Sequence, residues 1–317
     1  MTEITYPWAI QHGLQRKNTG KLQSLWLETP SYCNLACSYC FACGGETVDK
    51  ERLMTQAEII GVMTQAKEMG IDSFGMPGAG EPLLPVNKEL TVSLLRKCRE
   101  LEIFVALFTT GEFITEELAD ELLDLPVELL VKCNSLDPNL QDRFVSDPSR
   151  NRIIHGYGYK RNQTIQLLLT KGFANKDVCR KMFGRKSRLA LVTSIMTTND
   201  HGLSNISDIE DVFRFCRQNN IIFDCDSILK RGRGVTCKLH TEDEEYKNTI
   251  VNIQKIDQEE FGNNWPITQS YVGGPICDRY HHHLYVTQYG DILPCIGSTG
   301  VVLGNIRHTT LEEAWHS

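Results

Sequence analysis

The stretch Ser31-Tyr-Cys-Asn-Leu-Ala-Cys-Ser-Tyr-Cys-Phe41 places three cysteines, Cys33, Cys37 and Cys40, on one short segment with C-x3-C-x2-C spacing. This spacing allows three thiolates on a single loop to bind one iron–sulfur cube. A [4Fe–4S] cube has four irons and normally takes four cysteines, so one iron here keeps an open coordination position. Because open positions are typical of catalytic rather than structural metals, the loop indicates a cluster to which a further molecule binds.

The residues alone are also compatible with two other functions of this loop. Cys43 repeats the C-x2-C pattern after Cys40 and would complete the four-cysteine cluster of an electron-transfer protein. It would equally complete a zinc site in an interaction module, although such sites usually carry a second pair of ligands. We interpret Cys43 as a neighbour of the loop and favour the open cluster.

Composition narrows the class of protein. The 317 residues are 41% hydrophobic and 23% charged, as in an ordinary globular protein. A formal net charge of −7 without a long basic run disfavours a nucleic-acid partner. No apolar run approaches the ~20 residues of a membrane span, and the polar N-terminal segment lacks a signal-peptide core. Twelve cysteines without a secretion signal favour thiolate ligands in a reducing cytoplasm.

Strands and helices are predicted to alternate along most of the chain. Apolar runs, together with the turn residues that bound them, predict strands over 24–29, 72–76, 104–109, 128–134, 189–196 and 221–225. Helical spacing predicts helices over 55–69, 87–101, 115–123 and 205–219, and one within 151–172. Strands separated by helices indicate right-handed βαβ units around a parallel sheet. The predicted fold class is therefore α/β, a partial (β/α)6 TIM-like barrel, with its chemistry at the carboxyl ends of the strands.

The alternation changes after residue 232, where a charged helix over 241–260 and a β-hairpin are predicted. We therefore divide the chain into an N-terminal extension (1–23), a core barrel (24–235) and a small C-terminal region (236–317). The basic stretch 175–188 is predicted to be an exposed connection, with a site for an acidic substrate or a protein partner as the alternative. Cys277 and Cys295 flank the predicted hairpin, so they would converge on one metal.

Glycine-rich and polar motifs follow the predicted strands. Gly80-Glu81-Pro82 follows the second, Thr109-Thr110-Gly111 the third, and Asn134-Ser135-Leu136-Asp137 the fourth. Glycines allow close backbone approach, and short polar side chains suit a zwitterionic ligand. With the cysteine loop, in which Tyr39 precedes the third cysteine, this order resembles the radical S-adenosylmethionine (SAM) superfamily. Ala79 and Thr110 depart from that family's Gly-Gly-Glu-Pro and Thr-Asn-Gly motifs.

The resemblance implies how the site works. The methionine part of SAM would chelate the open iron, and the reduced cluster would cleave SAM to a 5′-deoxyadenosyl radical. It also implies which residues bind the cofactor: Tyr39, Gly80, Glu81, Thr110, Asn134, Ser135, Ser194, Asn199 and Ile228. Arg231 and Arg233, in the Arg-Gly-Arg-Gly segment after the sixth strand, are predicted either to contact an acidic substrate group or to lie in a solvated turn.

The C-terminal region resembles the SPASM/Twitch extension of the same superfamily. The resemblance implies that Cys277 and Cys295 hold an auxiliary iron–sulfur cluster. Two ligands do not complete such a cluster, so Cys237, a histidine or residues beyond this sequence would supply the rest. Of His281, His282 and His283, at most two would point together on a strand, and we interpret them as ordinary hairpin residues.

The sequence thus predicts a radical SAM enzyme that abstracts hydrogen from a small natural product or a peptide. An auxiliary cluster would assist oxidation (dehydrogenation or crosslinking) or epimerisation, and a reducing protein such as flavodoxin or ferredoxin would supply electrons. No peptide-binding winged-helix domain is evident before residue 24, which favours a small molecule or a leaderless peptide. Cys133 and Cys225, near strand ends, are candidate hydrogen donors, whereas Cys98, Cys179 and Cys216 are expected to pack as small apolar residues.

Overall fold

The computed structural model describes residues 20–71, 73–181, 184, 186–197, 203–237, 241–263, 279–298 and 300–317. The strands in these ranges are β1 (Ser24–Leu27), β2 (Ser73–Met76), β3 (Phe104–Thr109), β4 (Val127–Lys132), β5 (Leu189–Ser194), β6 (Ile222–Asp226), β7 (His283–Val286), β8 (Asp291–Leu293) and β9 (Gly304–Asn305). The helices are α1 (Gln56–Glu68), α2 (Pro85–Glu100), α3 (Glu116–Leu123), α4 (Pro138–Phe144), α5 (Tyr157–Lys171), α6 (Lys176–Arg180), α7 (Ile206–Gln218), α8 (Asp243–Phe261) and α9 (Leu311–Trp315).

All of these strands belong to one sheet, in the order β6-β5-β4-β3-β2-β1-β7-β8-β9. Strands β1 to β6 are parallel to their neighbours, as the alternation with helices predicted. The sheet that the described strands form does not close, so the predicted partial barrel is confirmed. Parallel strands place their carboxyl ends at one edge of the sheet, which brings the loops after β1 to β6 together.

Side chains of the sheet alternate between two apolar layers. Leu129 and Val131 of β4 face the larger core, which the helices cover, whereas Leu130 faces a smaller interior cluster with Trp26 and Ala106. Cys98, Cys179 and Cys216 are fully buried, which confirms their packing role. Helix α1 begins with the predicted capping box, in which Thr55 and Glu58 bond each other's backbone.

The C-terminal region joins the same sheet. Strand β7 pairs in parallel with β1, and β8 and β9 extend the sheet antiparallel, so the predicted hairpin is present. Helix α8 packs on α7, where a buried ion pair joins Arg217 Nε to Asp257 Oδ1 at 2.8 Å. The division at residue 235 stays a prediction. None of the helices in the described ranges has the length and apolarity to cross a membrane.

Two local expectations were wrong. Helix α4 was not predicted; it starts because Asp137 accepts the N–H groups of Asn139 and Leu140, at 2.7 and 3.1 Å, with Pro138 in the first turn. The basic stretch 175–188 is also not a solvated connection throughout. It contains α6, and Arg188 is only 1% exposed.

Arg188 is buried because it closes the carboxyl end of α3. Its guanidinium donates to the backbone carbonyl oxygens of four residues at 2.6 to 3.0 Å, namely Leu122, Leu123, Leu125 and Val127. The last turn of a helix leaves carbonyl oxygens such as those of Leu122 and Leu123 without α-helical partners. A cation at this end also interacts favourably with the helix dipole, so the side chain fixes α3 to the start of β4.

Candidate cluster and cofactor site

The three cysteines of the loop after β1 lie on one cavity at the carboxyl edge of the sheet. Cys33, Cys37 and Cys40 are each partly buried and line a cavity of about 260 Å³. Backbone contacts shape the loop: the Ala36 N–H donates to the Val145 carbonyl at 2.9 Å and the Gly45 N–H to the Ser31 carbonyl at 2.8 Å. The loop therefore turns its thiols to the barrel interior.

Burial opposes the ionisation of two of these thiols, those of Cys33 and Cys37. It raises the pKa of Cys37 to about 11, with the charge of Cys40 adding to the effect, and raises the pKa of Cys33 well above its usual value. The Gly44 N–H donates to Cys40 Sγ at 3.2 Å. A cationic cluster would offset the mutual repulsion and displace the thiol protons, so the site suits iron–sulfur binding.

The binding of an iron–sulfur cluster does not require the three cysteines to converge on one point. Within the described ranges, no three His, Cys, Asp or Glu side chains are grouped to hold a single metal ion. A cubane binds its cysteines at different irons, so its ligands are spread around the cluster. Cys43 belongs to the same loop but is not among the residues that line the cavity.

The Gly80-Glu81 turn after β2 forms the next wall. Glu81 lines the cavity, and its carboxylate accepts the Thr109 hydroxyl at 2.6 Å, the Thr110 N–H at 2.6 Å and the Leu83 N–H at 2.9 Å. Burial raises the pKa of Glu81 although these donors favour the ionised form. Glu81 thus connects the ends of β2 and β3, and Gly80 and Thr110 also line the cavity.

Not all predicted cofactor residues face the cavity. Tyr39, Ser194 and Ile228 line it, whereas Asn134 and Ser135 are fully buried behind the wall. The Asn134 side chain donates to the Tyr39 hydroxyl at 2.7 Å, and the Ser135 hydroxyl donates to Asp208 at 2.5 Å. These two residues therefore support the loops around the cavity, and their placement does not favour direct contact with SAM.

The candidate hydrogen donors are also placed away from the cavity. Cys133 is fully buried in the helix-covered core. Cys225 packs against that core too, because Asp224 and Asp226 on either side of it in β6 face the cavity. This placement argues against a hydrogen-donor role for either cysteine. Asn199 and Cys277 lie outside the described residues.

Sequence reasoning missed three charged residues of the cavity, which are Lys132, Asp224 and Asp226. The Lys132 ammonium donates to the Ser194 hydroxyl at 2.6 Å and lies 5.5 Å from the centre of the Tyr39 ring. Burial lowers its pKa to about 8, against the attraction of Cys37 and nearby acids. The sequence signal that could have revealed these three residues is the presence of charged residues in strands that are otherwise apolar, at positions that share one face.

The Arg-Gly-Arg-Gly segment after β6 corrects a further expectation, since neither arginine is in a solvated turn. Arg231 donates to the Ile296 carbonyl at 3.0 Å, lies over the Tyr285 ring and approaches Glu28 at 3.8 Å. It therefore links the barrel to the hairpin that ends at Cys295. That cysteine is buried and lies beside Ile296, which lines the cavity.

A parallel partial barrel with three cysteines and a glycine–glutamate turn on one cavity defines an iron–sulfur enzyme class. A model of the radical SAM superfamily matches residues 27–184, and a model of SPASM, an iron–sulfur cluster-binding domain, matches residues 277–317. The chain belongs to the radical SAM superfamily and carries a SPASM domain. Its cofactors are therefore a [4Fe–4S] cluster, SAM and an auxiliary iron–sulfur cluster.

The fold is similar to that of solved structures of the superfamily. Streptococcus suis SuiB bound to S-adenosylmethionine has a TM-score of 0.68 and 16% identity, covering 94% of this chain and 66% of that one. SuiB bound to precursor peptide SuiA has a TM-score of 0.66 and 18% identity, covering 94% and 65%. Native anSMEcpe with bound AdoMet has a TM-score of 0.63 and 16% identity, covering 93% and 80%. The chain thus spans about two thirds of the length of SuiB. No curated protein matches it in sequence.

Proposed function

We propose that this protein cleaves SAM reductively and uses the resulting radical to oxidise a peptide, by dehydrogenation or crosslinking. The observation that carries the proposal is that the three cysteines, the Gly80-Glu81 turn and the polar ends of β4 to β6 line a single cavity. A peptide is favoured over a small natural product because similar structures were solved with a precursor peptide, SuiA, and with a Cp18Cys peptide.

The cofactors supply the difficult chemistry: one electron reduces SAM to methionine and a 5′-deoxyadenosyl radical, which takes a hydrogen atom from the substrate. The chain orients the reactants and excludes water. Apolar side chains of the interior layer, including Trp26, Phe108 and Leu130, line the cavity and limit quenching of the radical by solvent.

Oxidation further requires that the substrate radical lose an electron and a proton. The auxiliary cluster would accept the electron, and Cys295, which would bind that cluster, adjoins Ile296 on the cavity wall. The carboxylates of Asp224 and Asp226 are candidate acceptors for the proton. Epimerisation would instead return a hydrogen to the substrate, and neither Cys133 nor Cys225 lies on the wall to donate it.

We further infer the setting in which the enzyme works. A small reducing protein such as flavodoxin or ferredoxin would deliver the electron, and the cytoplasm is the expected compartment. The twelve cysteines of the sequence, three of them in the C-x3-C-x2-C motif, favour a reducing compartment.

The test is SAM cleavage by the anaerobically reconstituted protein. With dithionite and SAM, it should release 5′-deoxyadenosine. Cys37→Ala should abolish release because it removes a cavity-facing thiol, whereas Cys43→Ala should retain both iron content and release. A fully loaded protein that releases none would contradict the enzyme assignment, and cluster loss in Cys43→Ala alone would favour an electron carrier.

The reaction outcome is read from the product's mass once a substrate peptide is found. Dehydrogenation or crosslinking removes one hydrogen molecule from the peptide. Epimerisation leaves the mass unchanged in ordinary water and adds deuterium in deuterated water. The second pattern would refute the oxidation proposal but not SAM cleavage.

A further inference from the structure

The segment Arg231–Gly234, which leaves the barrel after β6, packs directly on the cysteine loop. At Gly232, which has a φ of +56°, a Cβ atom would lie 2.3 Å from the Phe41 carbonyl oxygen. The Arg233 N–H donates to the Cys40 carbonyl at 2.9 Å. The two segments are therefore in backbone contact although almost two hundred residues separate them in the sequence.

The Arg233 side chain completes this contact. Its Nε donates to the Cys37 carbonyl and its Nη2 to the Gly44 carbonyl, each at 3.0 Å. Its Nη1 donates to Glu46 Oε1, also at 3.0 Å. One planar guanidinium thus binds the loop at three points, which a lysine ammonium cannot reproduce in the same geometry.

The same side chain puts a positive charge beside the cluster ligands. Only 10% of it is exposed, and its charge attracts the sulfurs of Cys37 and Cys40 when they are ionised. Weak screening preserves such interactions between partly buried groups. A cluster gains negative charge when it is reduced, so a fixed cation favours its reduced state.

We propose that Arg233 is a positioning residue that holds the three-cysteine loop and raises the reduction potential of the SAM-binding cluster. Arg233 thereby eases the one-electron reduction with which SAM cleavage begins. The inference rests on the proposed function only because both require the SAM-binding cluster. The reduction potential of that cluster is measured without substrate and without SAM turnover.

The experiment is a redox titration of the reconstituted full chain, followed by electron paramagnetic resonance. The signal to follow is the one that changes shape when SAM is added, which separates it from the auxiliary cluster. Arg233→Gln should shift the reduction equilibrium against the reduced state by about tenfold, or about 59 mV for a one-electron couple. Arg233→Lys keeps the charge and should stay within about twofold of the wild type, while losing iron faster to a chelator.

Arg150→Gln is the matched control. Arg150 donates to the same Glu46 oxygen at 2.8 Å, but it is 41% exposed and has neither of the contacts that Arg233 makes with the Cys37 and Gly44 carbonyls. It should leave the potential unchanged. A loaded Arg233→Gln protein with the wild-type potential would overturn the proposal, as would a tenfold shift in Arg233→Lys. If the Gln variant does not load, the Lys variant is decisive: a potential within about twofold of the wild type supports the proposal and a tenfold shift overturns it. Failure of both variants to load overturns the role in setting the potential.

Discussion

Substituting alanine for Gly80 tests the contact that joins the glycine–glutamate turn to the cysteine loop. A Cβ atom at Gly80 would lie 2.2 Å from the Tyr32 carbonyl oxygen and 2.5 Å from the Ser31 carbonyl carbon. Both are backbone atoms, so no side chain can move aside. The loop would have to shift by more than an ordinary packing adjustment.

That shift disrupts hydrogen bonds that meet at the same oxygen. The Tyr32 carbonyl accepts the Glu81 N–H at 2.9 Å and the Asn87 side-chain amide at 3.3 Å. Overpacking costs about 1–3 kcal/mol, and a lost buried hydrogen bond adds about 1 kcal/mol. We therefore expect Gly80→Ala to lower the free energy of unfolding by about 2–4 kcal/mol and to reduce iron uptake.

The assay is urea unfolding of the cluster-free protein under reducing conditions, with iron content measured after reconstitution. Gly61→Ala is the matched control, since a Cβ atom there meets nothing within 4 Å in the middle of α1. Alanine should stabilise that helix by about 0.5–1 kcal/mol. The same substitution should thus lower the free energy of unfolding at Gly80 and raise it at Gly61. A Gly80→Ala protein that unfolds like the wild type and loads normally would refute the packing argument.

Two further predictions concern stability. Arg188→Met should lower the free energy of unfolding by about 2–4 kcal/mol, measured in urea, because it removes the guanidinium donors of four buried carbonyl oxygens, of which those of Leu122 and Leu125 keep one backbone N–H donor each; the exposed Lys181→Ala should change it by less than about 0.5 kcal/mol, and equal effects would contradict the capping role. Arg307 and the Thr55 backbone lower the pKa of Glu58 to about 2. The ionised Glu58 side chain therefore stabilises the folded state above its ordinary pKa of about 4.5, and this stabilisation is lost as the pH falls towards 2. Glu58→Gln should lower the free energy of unfolding by about 1 kcal/mol at pH 7, a value that allows for the partial exposure of the side chain. The difference in stability from the wild type should vanish near pH 2, and a difference that persists there would exclude a charge effect.

The order of strands and helices could be predicted from the sequence because apolar runs and caps are local signals. Thr55 and Glu58, three residues apart, predicted the start of α1 directly. Helix α4 was missed because it is short, with its start set by Asp137 and Pro138 in what resembled a turn. Arg188 was misjudged for another reason. Its charge favours exposure, and only the distant end of α3 explains its burial.

The ligands of the site were also local in sequence, but the lining of the cavity was not. Alternation along β4 places Lys132 on the cavity face with Leu130, but it applies only as far as the strand continues. The prediction ended β4 at Asn134, whereas the strand ends at Lys132, so Asn134 turns under the wall and does not share that face. Likewise, ending β6 at Cys225 omitted Asp226, which shares the cavity face with Asp224.

The cysteine spacing defines which atoms bind iron, yet distant residues determine the environment of those atoms. The Ser31 N–H donates to the Gln288 side chain at 2.9 Å, from the turn between β7 and β8. Arg233 binds the other end of the loop, from the segment after β6. The motif alone would therefore supply ligands without a fixed geometry or a nearby cation. Since both distant contacts come from beyond the first five strands, the cysteine loop reaches this arrangement only when the C-terminal part of the chain has folded against the barrel.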